Sequence, residues 1–306
     1  MKNIFWIVAL VVIVLSACNT AVPVYVTDEN QYIRFNQVGY YPRAIKEFVV
    51  ADHKAASFVI LNFKGKIVYE GKLIDKGSWD KSGENLLYGD FSALTKAGPF
   101  YIQLNTGITS APFMIAPKVY ETSLDAAIKS FYFQRASMAI EKQYGGVYQR
   151  ASGHPDDQCM FHPSTGKEEG TLDSPGGWYD AGDYGKYIVN AALTAGQMLH
   201  LLEMLPKAIS SDELNIPESG NGIRDLLDEI RYELDWVATM QDEDGGVFHK
   251  LTALNFGAFI MPEEYTLDRY IIGKGTASSL NFAAVMAQAS RIYADIDPDF
   301  ASSTLE

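Results

Sequence analysis

The hydrophobic period of the chain changes once. Between Tyr32 and Ala116 the apolar residues come in short runs: Ile33–Val38, broken by Gly39 and Pro42; Phe48–Ala51; Phe58–Phe63 and Lys66–Leu73 on either side of Lys64-Gly65; Phe100–Leu104; and Phe113–Ala116. Runs of this length bounded by turn residues predict strands, and two of them joined across Lys-Gly predict a hairpin. Repeated short strands of this kind make a β-sandwich. Beyond Pro117 the period becomes helical. Tyr120, Leu124, Ala127, Ile128, Phe131 and Met138 fall on one face of a helix expected over 118–142. Ile188, Ala191, Ala192, Ala195, Met198, Leu199 and Leu202 predict a second over 184–205, stopped by Pro206. Ile223, Leu226, Leu227, Ile230, Leu234, Val237 and Met240 predict a third over 223–240. A fourth, capped by Thr276, is expected to run to Tyr293. Its Ala283, Ala284, Ala287 and Ala289 imply close helix packing. Residues 145–177 show neither period, and a loop of that length in a compact domain is functional or disordered.

The N-terminus follows other rules. Lys2 precedes the apolar run Ile4–Leu15, which is too short to span a bilayer and has the form of a signal peptide. Leu15-Ser16-Ala17-Cys18 then resembles a bacterial lipobox, which implies export, cleavage and a lipid on Cys18; a plain signal peptide with a chance cysteine is the competing reading. The expected organisation is a signal segment over 1–18, a polar tether over 19–31, a β-sandwich over 32–116 and a helical domain over 117–306. The fold class is multidomain, β then α. The two cysteines, Cys18 and Cys159, lie on opposite sides of the processing site, so no disulfide is expected. A formal net charge of −13 excludes a nucleic-acid partner, which needs basic surface. It suits a neutral ligand.

The chemistry gathers in Gly176–Asn190, Gly-Gly-Trp-Tyr-Asp-Ala-Gly-Asp-Tyr-Gly-Lys-Tyr-Ile-Val-Asn. Two carboxylates, Asp180 and Asp183, stand three residues apart among Trp178, Tyr179, Tyr184 and Tyr187. Acids and flat rings on a glycine-rich turn suit an uncharged, hydroxyl-rich ligand. The two acids are too close in sequence to stand on opposite sides of a ligand, so both belong to one side of it. Asp183 sits at the start of the helix expected from Tyr184, whose positive end favours its ionised form, a good base and a poor acid.

Gly176–Tyr187 closely resembles the nucleophile-side motif of glycoside hydrolase family 9, the endoglucanases. So do Ile216–Ile223 with Asp225-Leu226-Leu227-Asp228-Glu229, Asp244–Lys250 and Phe282–Arg291, in the family's order. Ile33–Tyr40 resembles the start of the immunoglobulin-like domain that often precedes that catalytic domain. The resemblance implies an immunoglobulin-like β-sandwich followed by an (α/α)6 barrel, and hydrolysis of β-1,4-glucan with inversion. By motif position it makes Asp183 the principal base and Asp180 its partner in holding the water. Trp178, Tyr184 and Tyr187 become candidates to stack on sugar faces, Trp178 foremost because it adjoins the acids and Tyr187 equally readable as core, and His249 matches a family position lining the glucan cleft. It also implies a glutamate general acid near the far end of the domain, to which no position here corresponds. A toroid of about twelve helices needs on the order of 350 residues, so the chain is read as part of a longer protein.

No cofactor is required for this chemistry, although structural calcium or zinc is possible in the family. His154, Asp156, Asp157, Cys159 and His162 have a spacing that suits zinc. Tyr144-Gly145-Gly146 lacks the cysteine that zinc-bearing relatives carry there, and Cys159 is not followed by histidine. Asp242-Glu243-Asp244-Gly245 only hints at a calcium loop. The metal ligands are therefore unassigned. The expected partners are a β-glucan and, through the lipid, a membrane. The competing function is a non-catalytic glycan-binding lipoprotein. A polysaccharide lyase on a similar toroid is disfavoured by the absence of a basic cluster to neutralise uronates.

Overall fold

The structure, a computed structural model, describes residues 24–28, 31–207, 209 and 211–305. The signal segment and Cys18 lie outside the described residues. The chain divides into two compact units, Met1–Thr122 and Ser123–Glu306.

The first unit holds β1 (Ile33–Phe35), β2 (Glu47–Ala51), β3 (Ser57–Asn62), β4 (Ile67–Lys72), β5 (Ile74–Trp79), β6 (Glu84–Asp90), β7 (Gly98–Leu104) and β8 (Phe113–Ile115). They form two four-stranded sheets, ordered β1-β2-β6-β5 and β4-β3-β7-β8. Every pairing within them is antiparallel. Phe48 and Val50 of one sheet, and Phe58, Ile60, Phe100, Ile102 and Phe113 of the other, share one core. The Phe48 and Phe58 rings meet edge to face at 4.8 Å, the geometry aromatic pairs prefer. The expected hairpin is β3–β4. Strands β5 and β6 have no counterpart in the sequence reading. All six residues of β5 are exposed, so it carries no alternation to read.

The second unit runs through α1 (Glu121–Tyr132), α2 (Lys142–Gly145), β9 (Cys159–Phe161), β10 (Thr171–Leu172), β11 (Lys186–Tyr187), α3 (Ile188–Met204), α4 (Asp225–Thr239), β12 (Phe248–Thr252), β13 (Tyr270–Lys274), α5 (Thr276–Tyr293) and α6 (Pro298–Ser303). Helix α3 packs between α4 and α5 over a core that includes Ile188, Leu199, Ile230, Leu234, Val285 and Met286. A five-stranded sheet, β10-β9-β13-β12-β11, accompanies the helices. Its strands are two to five residues long, too short to show a period.

Three boundaries differ from expectation. The first helix ends at Tyr132, not near 142. Arg135 turns inward onto Glu218 and Glu229, and Ser137 takes a left-handed φ of 60°, which takes the chain out of the helix. Thr276 is the first residue of α5, with Gly275 in the capping position. The second helix begins at Ile188 rather than Tyr184, because Tyr184 has φ 55° and Lys186–Tyr187 pairs with β12.

Helix α4 has a second register besides its apolar one. Asp225, Glu229 and Glu233, four residues apart and all buried, sit on one side of it. Asp225 accepts from the Leu214 N–H (2.5 Å) and the Ser219 hydroxyl (2.9 Å). Glu229 accepts from Arg135 Nε at 3.1 Å and from the Trp178 indole N–H at 2.7 Å. Glu233 accepts from the Trp178 backbone N–H at 2.5 Å. Tyr232 adds a hydroxyl bond to Ala136 O, also at 2.5 Å. Each acid holds a loop in place.

Candidate active site

Gly176–Tyr187 is anchored at both ends. At its start Gly177 has φ 72°, and a Cβ there would stand 2.6 Å from the Trp236 indole. Only glycine meets both conditions. Gly177→Ala is therefore expected to destabilise the second unit by about 1–3 kcal/mol, read by urea denaturation; unchanged stability would show that Trp236 yields freely.

At the other end Lys186, 0 % exposed, donates to Asp156 Oδ2 (2.8 Å), Ser174 O (2.9 Å) and Gly176 O (2.8 Å). All three ammonium protons thus have acceptors. Asp156 also takes Arg269 Nε at 2.9 Å, and Arg269 reaches on to Tyr184 O at 2.7 Å. Burial alone would raise the Asp156 carboxyl; Lys186 and Arg269 outweigh it and hold it below the usual range.

Between the anchors the turn closes on itself. Asp180 N–H donates to Gly185 O (2.9 Å) and Tyr184 N–H to Ala181 O (3.0 Å). Both acids are fixed by one oxygen. Asp180 Oδ1 accepts from Asn190 Nδ2 at 2.6 Å, and Asp183 Oδ2 accepts from the Tyr187 hydroxyl at 2.8 Å. The second oxygen of each has no hydrogen-bond partner among the described residues. Burial, and then Asp183, push the Tyr187 phenol up to about 12, which keeps it a donor. Asp180 and the Tyr187 ring line a cavity of about 220 Å³ together with Phe131, Gln134, Trp178, Asn190 and Glu233.

The candidate residues are thus brought together unevenly. Asp180 opens onto the cavity, and Asp183 joins it through Tyr187. Asp183 does not sit at a helix start: two strand residues and a left-handed Tyr184 separate it from α3, so the helix-dipole argument does not apply to it. Trp178 lines the cavity but is 6 % exposed, lies against Phe131 (centroids 4.8 Å) and has both N–H groups taken. It is a wall of the cavity, not a free-standing platform. Tyr184 is turned away, into a cluster with His154, Tyr179 and Tyr265, and its hydroxyl donates to Ile260 O at 2.5 Å. That corrects the expectation of a sugar-stacking ring. The positive φ turns the side chain from the cavity, a direction no residue count reveals. His249 on β12 does not line the cavity; it is half-buried, with Nδ1 3.4 Å from Ser278 Oγ, and burial followed by Lys250 lowers its pKa. Glu233 and Asn190 were not singled out in the sequence. The available signal for Glu233 was a carboxylate on the apolar stripe of α4.

The loop residues with zinc-like spacing do not fit a metal. Both oxygens of Asp156 face cations. Burial pushes the Cys159 thiol up to about 12, and its S–H is directed at Asp156 O (3.5 Å). His154 Nδ1 is bonded to Tyr179 OH (2.9 Å) and His162 Nδ1 to Ser164 Oγ (2.8 Å). Asp242 and Asp244 both pair with Lys274, and Asp242 also with Lys167. Among the described residues no three His, Cys, Asp or Glu side chains gather as a metal site.

Comparison with known proteins identifies the family of both units. The cellulase N-terminal ig-like domain family matches residues 28–108, and the glycosyl hydrolase family 9 profile matches residues 120–306. A xyloglucan-specific endo-beta-1,4-glucanase of Bacteroides ovatus is 43% identical over 279 residues, 89% of this chain and 47% of that protein. Endoglucanase D of Acetivibrio thermocellus is 34% identical over 92% of this chain and 45% of its own length. Among solved structures, a Bacteroides ovatus family 9 enzyme superposes with TM-score 0.84 at 43% identity, covering 90% of this chain and 51% of its own. A metagenome-derived family 9 endoglucanase gives TM-score 0.81 at 37% identity, covering 89% and 52%. The chain spans about half the length of the relatives it matches, so its helical unit is part of an (α/α)6 barrel preceded by an immunoglobulin-like domain. With the paired aspartates on their closed turn and the family profile covering the whole helical unit, the chain belongs to glycosyl hydrolase family 9.

Proposed function

We propose that the complete protein hydrolyses β-1,4-glucosidic bonds with inversion, and that Asp183 and Asp180 hold the attacking water. The observation that carries this is the pair of anchored carboxylates, each with one oxygen that has no hydrogen-bond partner among the described residues, Asp180 lining a cavity walled by rings and Asp183 joined to it through Tyr187. A water between those two oxygens is oriented by both. Asp183 takes its proton as the water oxygen bonds to the anomeric carbon, and the departing glycosidic oxygen is protonated by an acid on the opposite face. That acid is a glutamate outside this chain. Phe131, Tyr187 and the exposed edge of Trp178 offer apolar surface to a sugar ring.

The substrate is a β-glucan. Because one relative is named for xyloglucan, the test compares xyloglucan with unbranched β-glucans. NMR of the nascent product is expected to show the α-anomer first. No new reducing ends on any β-glucan, or a β-anomer first, overturns the reading.

Export follows from the same proposal. Cys18 carries the lipid that tethers the protein to a bacterial membrane, at the cell surface or facing the periplasm. Cys18→Ala is expected to move the protein from the detergent phase to the aqueous phase in Triton X-114 partition; equal partition of both forms removes the anchor.

A further inference from the structure

Glu233 is a carboxyl the mechanism above does not use. It is 1 % exposed and lies on α4 one turn after Glu229. The two acids grip the same residue from one side: Glu229 Oε1 takes the indole N–H of Trp178, and Glu233 Oε2 takes its backbone N–H. Their surroundings differ. Glu229 pairs with Arg135 at 3.0 Å, whereas Glu233 has no cation within ion-pair distance among the described residues. Its Oε1 has no hydrogen-bond partner among the described residues and is not one of the fully enclosed unpartnered polar atoms, and Glu233 belongs to the lining of the cavity onto which Asp180 opens. From Trp178 N to the Asp180 side chain is two residues of a turn closed by the Asp180–Gly185 bond.

We infer that Glu233 is a positioning residue for the hydrolysis: a neutral carboxylic acid whose Oε2 fixes Trp178-Tyr179-Asp180 and whose Oε1–H faces the cavity as a hydrogen-bond donor toward the water or a sugar hydroxyl. A neutral acid can accept the Trp178 N–H and donate at the same time; a carboxylate can only accept. The charged and titratable groups around it are Glu229 and Tyr232 on α4, Lys186 on β11, and Asp180 and Tyr187 across the cavity. Burial dominates among them and pushes Glu233 up to about 8; the bond from Trp178 and the charge of Lys186 oppose it, and Glu229 adds to it. The folded pKa is thus above the unfolded one. The stability this group contributes is complete below the unfolded value of about 4.3 and is lost as pH rises through about 8. Above that pH a second negative charge appears beside Glu229, and the donor facing the cavity disappears.

This inference rests on the proposed hydrolysis, so the experiment begins with wild-type complete protein on a soluble β-glucan. No turnover there defeats the hydrolase reading itself; with turnover established, only the variants bear on Glu233. Glu233→Gln keeps an acceptor for the Trp178 N–H and a donor for the cavity but cannot ionise. It is expected to retain kcat within about threefold and to lose the fall in kcat between pH 7.5 and 9 that wild type shows. Its melting temperature is expected to lose the matching decline with pH. Glu233→Met, of similar length, has neither acceptor nor donor. It is expected to lower kcat by at least about thirtyfold with KM changed by less than threefold. An alkaline fall in kcat unaltered in Glu233→Gln, or wild-type kcat in Glu233→Met, overturns the assignment. Should Glu233→Met fail to fold, the pH profile of Glu233→Gln still decides.

Discussion

Asp183→Ala in the complete protein is expected to lower kcat on a soluble β-glucan by about 10²–10⁴-fold, the contribution of a positioned general base. The fold should hardly notice. Asp183 is half-buried, and its one hydrogen bond, to Tyr187 OH, can be replaced by water. Stability is therefore expected within about 0.5 kcal/mol of wild type. Asp183→Asn is the sharper variant, because the amide keeps the bond from Tyr187 and loses only the capacity to take a proton. Asp180→Asn should show a smaller loss, since Asn190 holds that side chain in place and the role proposed for it is to orient the water. Stopped kinetics on xyloglucan and on an unbranched glucan check all three. Turnover near wild type in Asp183→Ala would remove the base assignment, and a larger loss in Asp180→Asn than in Asp183→Asn would exchange the two roles.

The second large effect lies below the site. Asp156→Ala is expected to cost about 3–5 kcal/mol, the penalty for stranding buried partners of an ion pair. It leaves Lys186, fully buried, with two carbonyl acceptors and no counter-ion, and Arg269 without its carboxylate. The sign with pH follows from the lowered carboxyl. Its contribution is complete above the unfolded pKa of about 3.9 and fades as pH falls through the still lower folded value. Urea denaturation at pH 7 should separate the variant widely from wild type, and the gap should narrow below about pH 4. A gap independent of pH would mean that shape, not charge, holds the loop. Activity should fall together with stability, because Lys186 and Arg269 both terminate on the backbone of the aspartate turn, at Gly176 O and Tyr184 O.

How much of this was legible in the residues follows from length scales. The sandwich core and helices α3, α4 and α5 repeat their apolar positions over enough residues to show a period. The five-stranded sheet of the second unit does not: a strand as short as Lys186–Tyr187 has no alternation. Missing it displaced the start of α3 to Tyr184 and produced a helix-dipole argument for Asp183 that the geometry does not support. The aspartate turn was visible because its glycines and paired acids are local. The directions of side chains were not. Nothing in Trp178-Tyr179-Asp180 or in Tyr184 says that the indole is gripped from α4 or that the phenol turns toward His154. The spacing of His154, Asp156 and Cys159 hinted at zinc, but two cations distant in sequence, Lys186 and Arg269, claim Asp156 first. Asp225, Glu229 and Glu233 could have been noticed as acids repeating at one-turn spacing along an apolar stripe, had the stripe been read for its exceptions.

That row of acids has a consequence for how the cleft behaves. Loops around a binding groove ordinarily wander, and a ligand must then spend affinity to still them. Here the segments around Leu214, Arg135 and Trp178 are each tied to a rung of one rigid rod, so the stretch that brings Trp178 into the cavity wall is held without a ligand. Loop lengths between the ties are free to drift over generations while the wall keeps its shape, provided that the rod keeps its three rungs.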